Sequence, residues 1–111
     1  MKKAVLYFGI ITILSLSVSC KKKLSGQNLD TVGTWSNGDD TVLKIESNGH
    51  GIYNFKGGGV TKKIDGRVLF DGDEMTFKAL GFKESFHIDK RPYQQGGQTK
   101  MLLSGDEYIQ Q

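Results

Sequence analysis

Residues 41–56 read TVLKIESNGHGIYNFK. Leu43 and Ile45 share one face of the first half, and Tyr53 and Phe55 share one face of the second. Alternation with a period of two is the mark of a half-buried strand. Between the halves stands Asn48-Gly49, and Asn-Gly flanked by alternating runs is a strong short-range hairpin signal. The stretch therefore reads as two antiparallel strands.

The same grammar extends in both directions. Upstream, Thr31–Ser36 forms a short run that holds Trp35. Downstream, Gly57-Gly58-Gly59 ends the second strand and Val60–Phe70 begins a longer one, with Ile64, Gly66, Val68 and Phe70 in phase. A glycine inside such a run marks a bend or a crowded crossing. Asp71-Gly72-Asp73 turns the chain into Glu74–Ala79, where Met75, Phe77 and Ala79 are in phase, and Leu80-Gly81 turns it into Lys83–Asp89, where Phe86 and Ile88 are. Thr99–Leu103 and Asp106–Gln110 complete the series around Ser104-Gly105.

No stretch after residue 31 offers helical spacing over two turns with a cap. The expected fold is all-β, an antiparallel meander of about eight strands, as a barrel or a strongly curved sheet. An even strand count lets the first and last strands pair, which removes exposed edges. Strands this short leave an interior filled by side chains or open to one small ligand.

The N-terminus differs. Met1-Lys2-Lys3 is a basic head, and Ala4–Val18 is an uncharged, mostly apolar run. It is shorter than the ~20 residues of a spanning helix. Head, short run and small residues before a processing point make a secretory signal. Leu16-Ser17-Val18-Ser19-Cys20 resembles a lipobox, the motif of bacterial lipoproteins whose cysteine is acylated before the signal is removed, although Ser17 stands where an aliphatic residue is usual. The resemblance implies lipidation of Cys20 and membrane attachment through that lipid. Lys21, standing where an aspartate would signal retention, points within the same resemblance to the outer membrane. The expected division is a signal helix over 1–19, a flexible tether over 20–30 and a β-domain over 31–111.

Charge and cysteine usage narrow the function. The formal charge of +3 comes from 15 basic and 12 acidic residues, yet Lys2, Lys3, Lys21, Lys22 and Lys23 all precede the domain. From residue 24 onward ten basic residues face 12 acids, a net of −2. A nucleic-acid binder would keep a basic excess on its folded surface. Cys20 is the one cysteine, so neither a disulfide nor a cysteine-built zinc site is expected.

Gly33-Thr34-Trp35, at the first strand of an eight-strand meander, is similar to the start of a lipocalin-like domain. That likeness implies barrel-floor packing for Gly33 and Trp35. The domain is about half the usual lipocalin length, and no arginine near the C-terminus is placed to stack on the indole.

Catalytic chemistry finds little support. His50 and His87 are the only histidines, and both read as surface strand residues. Gly38-Asp39-Asp40 and Asp71-Gly72-Asp73-Glu74 suit β-turns and lack the rest of a calcium loop. Gly57-Gly58-Gly59 precedes a strand, whereas a phosphate cradle needs a following helix. No metal and no cofactor is expected, and the chain does not read as an enzyme.

One long break remains, Lys90–Gln98 (KRPYQQGGQ), with the only proline and a glycine pair. Arg and Tyr are favoured at recognition surfaces, which makes Arg91, Tyr93, Gln94 and Gln95 candidate partner-binding residues on a loop. The leading expectation is a lipid-anchored, non-catalytic protein-binding or inhibitor-like module of the cell envelope. The alternative is a small apolar-ligand binder whose opening is lined by Tyr53, Phe77 and Phe86.

Overall fold

The computed structural model describes residues 23–111. The signal segment, Cys20 and the start of the tether lie outside the described residues.

Eight antiparallel strands follow one another around a closed barrel: β1 (Gly33–Ser36), β2 (Thr41–Ile45), β3 (His50–Gly57), β4 (Val60–Asp71), β5 (Glu74–Ala79), β6 (Phe82–Gln95), β7 (Gln98–Leu103) and β8 (Asp106–Gln110). Each strand pairs with the next in sequence, and β8 closes on β1 through Trp35↔Gln110 and Ser36↔Ile109. The all-β meander expected from alternation is thus present, as a barrel.

The core is the set of in-phase residues. Trp35, Leu43, Ile45, Met75, Phe77, Met101 and Leu103 are essentially inaccessible, and Tyr53, Ile64, Val68, Phe86, Ile88 and Tyr108 complete the cluster. Every second residue of β2, from Thr41 to Ile45, is buried while Val42 and Lys44 face solvent. Burial of a Leu, Ile or Phe side chain contributes roughly 1.5–3 kcal/mol, so these strands are held chiefly by their inner face.

The turns carry the local chemistry expected of them. Gly58 and Gly59 take φ of +57° and +76°, the left-handed pair that a two-residue hairpin requires. Asn37 organises the β1–β2 turn, its Oδ1 accepting the N–H groups of Asp39 and Thr41 at 3.0 Å each.

Two sequence expectations need correction. The flexible tether expected over 20–30 gives way in its second half to a 3-10 segment, Gly26–Thr31, packed on one end of the barrel. Thr31 is fully buried, and the Trp35 indole N–H donates to its carbonyl at 2.8 Å. The Leu24 N–H reaches the Ser47 carbonyl at 3.0 Å, and the Gln110 side chain reaches the Val32 carbonyl at 3.1 Å. These contacts lead from the segment to the β2–β3 turn and to β8, so it lies across the opening.

The second correction concerns Lys90–Gln98. It is no loop. β6 runs unbroken through Pro92 to Gln95, and only Gly96 and Gly97 turn the chain. The β6–β7 register shifts between Ile88 and Lys90 and again between Lys90 and Tyr93. Pro92 stands inside the second irregularity, where a missing N–H leaves no ladder bond unmade.

Candidate functional site

In a meander, alternate turns share an end. The 3-10 segment covers the end that carries the β2–β3, β4–β5 and β6–β7 turns. The β3–β4 and β5–β6 turns lie at the other end, and there the chain exposes large apolar side chains: Val60 at 53%, Phe82 at 71% and Leu80 at 97%. Leu80 also takes φ +48°. A left-handed L-residue is strained by roughly 1–2 kcal/mol. Ser104 takes φ +47° as well, but leucine is the apolar residue at such a position, where glycine or asparagine would relieve the strain and a polar side chain would suit the solvent.

Two clefts flank this turn. One, of about 280 Å3, lies on the inner side between Tyr53, Lys62, Ile64, Phe82 and Glu84. The other, of about 430 Å3 and more open, lies between Arg67, Lys78, Ala79 and Leu80. Lys62, Lys63, Lys78, Lys83 and Arg67 around them outnumber Asp65 and Glu84. An apolar tip set among cations suits an acidic partner with an apolar anchor.

Below the inner cleft the barrel is occupied by its own rings. Phe86 lies 5.9 Å from both Tyr53 and Phe77, nearly perpendicular to the latter, and 6.4 Å from Tyr108. Edge-to-face aromatic packing at this spacing is favourable. Tyr108 hydrogen-bonds Thr41, and burial pushes its phenol up to about 12. The residues expected to line a ligand opening thus meet one another, which counts against an internal apolar ligand.

No family model matches the chain, and neither a curated protein nor a solved structure matches it.

Cys20 lies outside the described residues. Trp35 packs beneath the 3-10 segment, and a Cβ on Gly33 would press on the Gln110 amide at 2.5 Å. Arg91 is engaged internally: it donates to Asn28 Oδ1 at 3.2 Å, to the Gly72 carbonyl at 3.0 Å and to Asp73 Oδ1 at 3.2 Å. It ties the 3-10 segment to the β4–β5 turn. Tyr93 carries the Lys90 ammonium 4.0 Å above its ring. Gln94 donates to Thr99 at 2.6 Å, and Gln95 accepts from Lys100 at 3.2 Å. Gln94 and Gln95 thus bond across the β6–β7 hairpin, whereas Arg91 reaches the 3-10 segment and the β4–β5 turn and Tyr93 meets Lys90 of its own strand. A hollow of about 380 Å3 beside them is lined by Asp30, Pro92, Tyr93, Gln94, Thr99 and Gln110.

The role of Arg91 is testable. Arg91→Ala is expected to accelerate amide exchange of residues 26–31 about tenfold or more, since hydrogen bonds to a charged group contribute about 1.5–3 kcal/mol. Exchange in β2–β5 should stay unchanged. Hydrogen exchange by NMR decides it; uniform acceleration through the barrel would contradict a local tie.

A cluster escaped the sequence reading. His50 Nε2 lies 2.6 Å from Asp65 Oδ1, and its Nδ1 lies 3.0 Å from Glu46 Oε1. Both ring nitrogens face carboxylates, so both carry protons in the favoured state. The hydrogen bond to Asp65, and next that to Glu46, hold the His50 pKa above its ordinary 6.5, while the bond from His50 holds Glu46 below 4.5. The carboxylates sit on opposite sides of the ring and cannot converge on one ion. Among the described residues no His, Cys, Asp and Glu cluster is arranged to hold a metal.

The sign of the pH dependence follows. The raised histidine stabilises fully below 6.5 and loses this as pH climbs through its folded-state value. The lowered glutamate stabilises above 4.5 and loses this as pH falls. The midpoint temperature of the native chain minus that of His50→Gln should be largest between pH 4.5 and 6.5 and shrink above, as read by calorimetry. A difference that grows toward pH 9 would be incompatible with this cluster.

Proposed function

We propose that the chain is a lipid-anchored lipoprotein of the cell envelope, held through Cys20, that acts without catalysis by binding another protein. The lipobox-like Leu16–Cys20 supports the anchor and the outer-membrane address. Leu80 carries the binding half of the proposal. It is a strained, wholly exposed leucine beside exposed Phe82, and strain retained at an exposed turn is an argument for recognition. The binding surface then lies at the end of the barrel opposite the anchored terminus, away from the Lys90–Gln98 hairpin. An inhibitor-like role, occluding a partner's surface, fits a rigid barrel with an apolar tip.

The experiment places a photo-crosslinking benzoylphenylalanine at position 82 in the native envelope, with and without Leu80→Asn. One dominant adduct that disappears with Leu80→Asn is the expected result, accompanied by a rise in stability as the left-handed position is relieved. An adduct pattern indifferent to Leu80→Asn would overturn the proposal. Mass spectrometry of the mature N-terminus checks acylation of Cys20, and an unmodified cysteine or an uncleaved signal would remove the anchor.

A further inference from the structure

The β3–β4 hairpin projects beyond its neighbour. β4 pairs with β3 from Val60 to Arg67, but with β5 only from Arg67 to Asp71. Residues 60–64, well short of Arg67 where the β5 pairing begins, therefore have a strand paired on one side only among the described residues. The parity of the ladder says which groups are open. Gly58-Gly59 is a two-residue turn with both φ positive, so the flanking pair Gly57↔Val60 exchanges both of its ladder bonds. Val60, Lys62 and Ile64 then direct their backbone groups to β3. Thr61 and Lys63 direct theirs to the opposite side, where no strand among the described residues pairs with them.

We infer that this open edge of β4, at Thr61 and Lys63, is a slot into which an extended acidic segment of a partner protein adds as a further strand. The inference rests on the protein-binding reading above and names the partner's chemistry. Strand addition takes affinity from main-chain bonds and selectivity from pockets that receive alternate side chains. One such pocket stands against this edge. The inner cleft presents Tyr53, Ile64 and Phe82 with Lys62, Lys63, Lys83 and Glu84 about them, and the second cleft, with Arg67, Lys78 and Leu80, begins beyond residue 64. An incoming strand would meet an apolar hollow ringed mostly by cations.

The lysines decide between occupants. Lysine on a strand edge is a common guard against pairing with another such edge. Lys62 and Lys63 of a second copy would meet those of the first and repel, whereas an acidic segment is attracted. The acidic rim formed by Asp39, Asp40, Asp106 and Glu107 in another cleft makes head-to-tail self-association the rival occupant.

The test uses the 15N-labelled full chain in detergent and a stated probe, acetyl-Glu-Val-Glu-Phe-Glu-Val-amide, with a control in which Lys replaces each Glu. The acidic peptide should shift the amides of residues 60–64 and the basic peptide should not. Thr61→Pro removes only an N–H that faces away from β3, a place where proline is tolerated. It should weaken binding tenfold or more, while Thr61→Val leaves it unchanged. Lys62→Glu with Lys63→Glu should reverse the preference toward the basic peptide, which keeps the inference testable if the proline variant does not fold. Unperturbed 60–64 amides at millimolar peptide, equal binding by a folded Thr61→Pro, or broadening of those amides with protein concentration alone would each overturn it. The position-82 crosslink separates the two readings. An adduct that survives Thr61→Pro leaves protein binding standing and removes strand addition, whereas no specific adduct removes both.

Discussion

Replacing Trp35 with alanine is expected to lower the unfolding free energy by about 3–5 kcal/mol, the usual range for deleting a buried aromatic ring. The loss is at the high end because two things go together. Trp35 is fully buried in β1, the four-residue strand that pairs with both β2 and β8 to close the barrel. Its indole N–H also holds the Thr31 carbonyl, and through it the 3-10 segment. Small domains have about 5–15 kcal/mol in total, and with Cys20 as its one cysteine this barrel has no internal disulfide to compensate. Trp35→Phe separates the contributions. It keeps most of the packing and drops the hydrogen bond, for about 1–3 kcal/mol once the carbonyl is left unsatisfied. Its exchange protection should fall first in residues 26–31. Urea titration followed by far-UV circular dichroism measures both variants. If alanine lost less than about 1 kcal/mol, well below the range for a buried ring, Trp35 would not be the keystone of this end.

The parts of this barrel that were legible in the chain are those where one residue's environment depends on its immediate neighbours. Leu43 and Ile45, or Met75 and Phe77, announce their buried face by alternation alone, and the glycine turns at 58, 72, 81 and 105 set the strand ends. Parity allowed closure but left a barrel and a strongly curved sheet both open, and the pairing of β8 with β1 decides between them. Lys90–Gln98 misled because Pro92 normally interrupts a strand. Its placement inside a register irregularity is a property of β6 and β7 together, which no local pattern reveals. Gly26–Thr31 misled in the same way. A polar, aperiodic hexapeptide takes shape only because Trp35 and Arg91, the latter 63 residues from its Asn28 partner, bond to it.

The site was less legible than the fold. His50 looked like an idle surface histidine, yet a usable signal was present. Counting back from the Gly58-Gly59 turn pairs His50 with Arg67 and sets Asp65 diagonally across, while Glu46 precedes His50 by four residues around the hairpin. Leu80 was read only as part of a turn. Its misfit appears once φ and exposure are both known, and neither is written in the letters. The open edge at Thr61 and Lys63 depends on where β5 stops, a length difference between neighbouring strands.

Gly66→Val is expected to cost about 3 kcal/mol, the upper end of what overpacking usually does, and it acts where β5 parts from β4. Gly66 faces Gly51 across the β3–β4 ladder. Neither needs glycine for its dihedrals; both need it for room. A Cβ on Gly66 would run into the Lys78 carbonyl oxygen and approach Ala79 Cβ to 2.8 Å. A Cβ on Gly51 would approach Val68 Cβ to 2.8 Å and the Phe77 ring to 3.1 Å. The obstacle at Gly66 is backbone and cannot rotate aside, so Gly66→Ala should already destabilise, and Ala79→Gly should rescue it only in part. Gly72 supplies the contrast. It has φ +60° and open space around its Cβ position, so Gly72→Asn, a residue that tolerates the left-handed region, should cost only tenths of a kcal/mol, within the range usual for surface substitutions. Urea titration of the four variants orders them, and a Gly66→Val as mild as Gly72→Asn would contradict the crowding. The close approach of Lys78 and Ala79 to Gly66 brings β5 to its turn at Leu80, which in turn leaves residues 60–64 uncovered. A valine wedged there should therefore disturb the amides of β5 and of the open β4 edge together, before it disturbs β7 and β8 on the far side of the barrel.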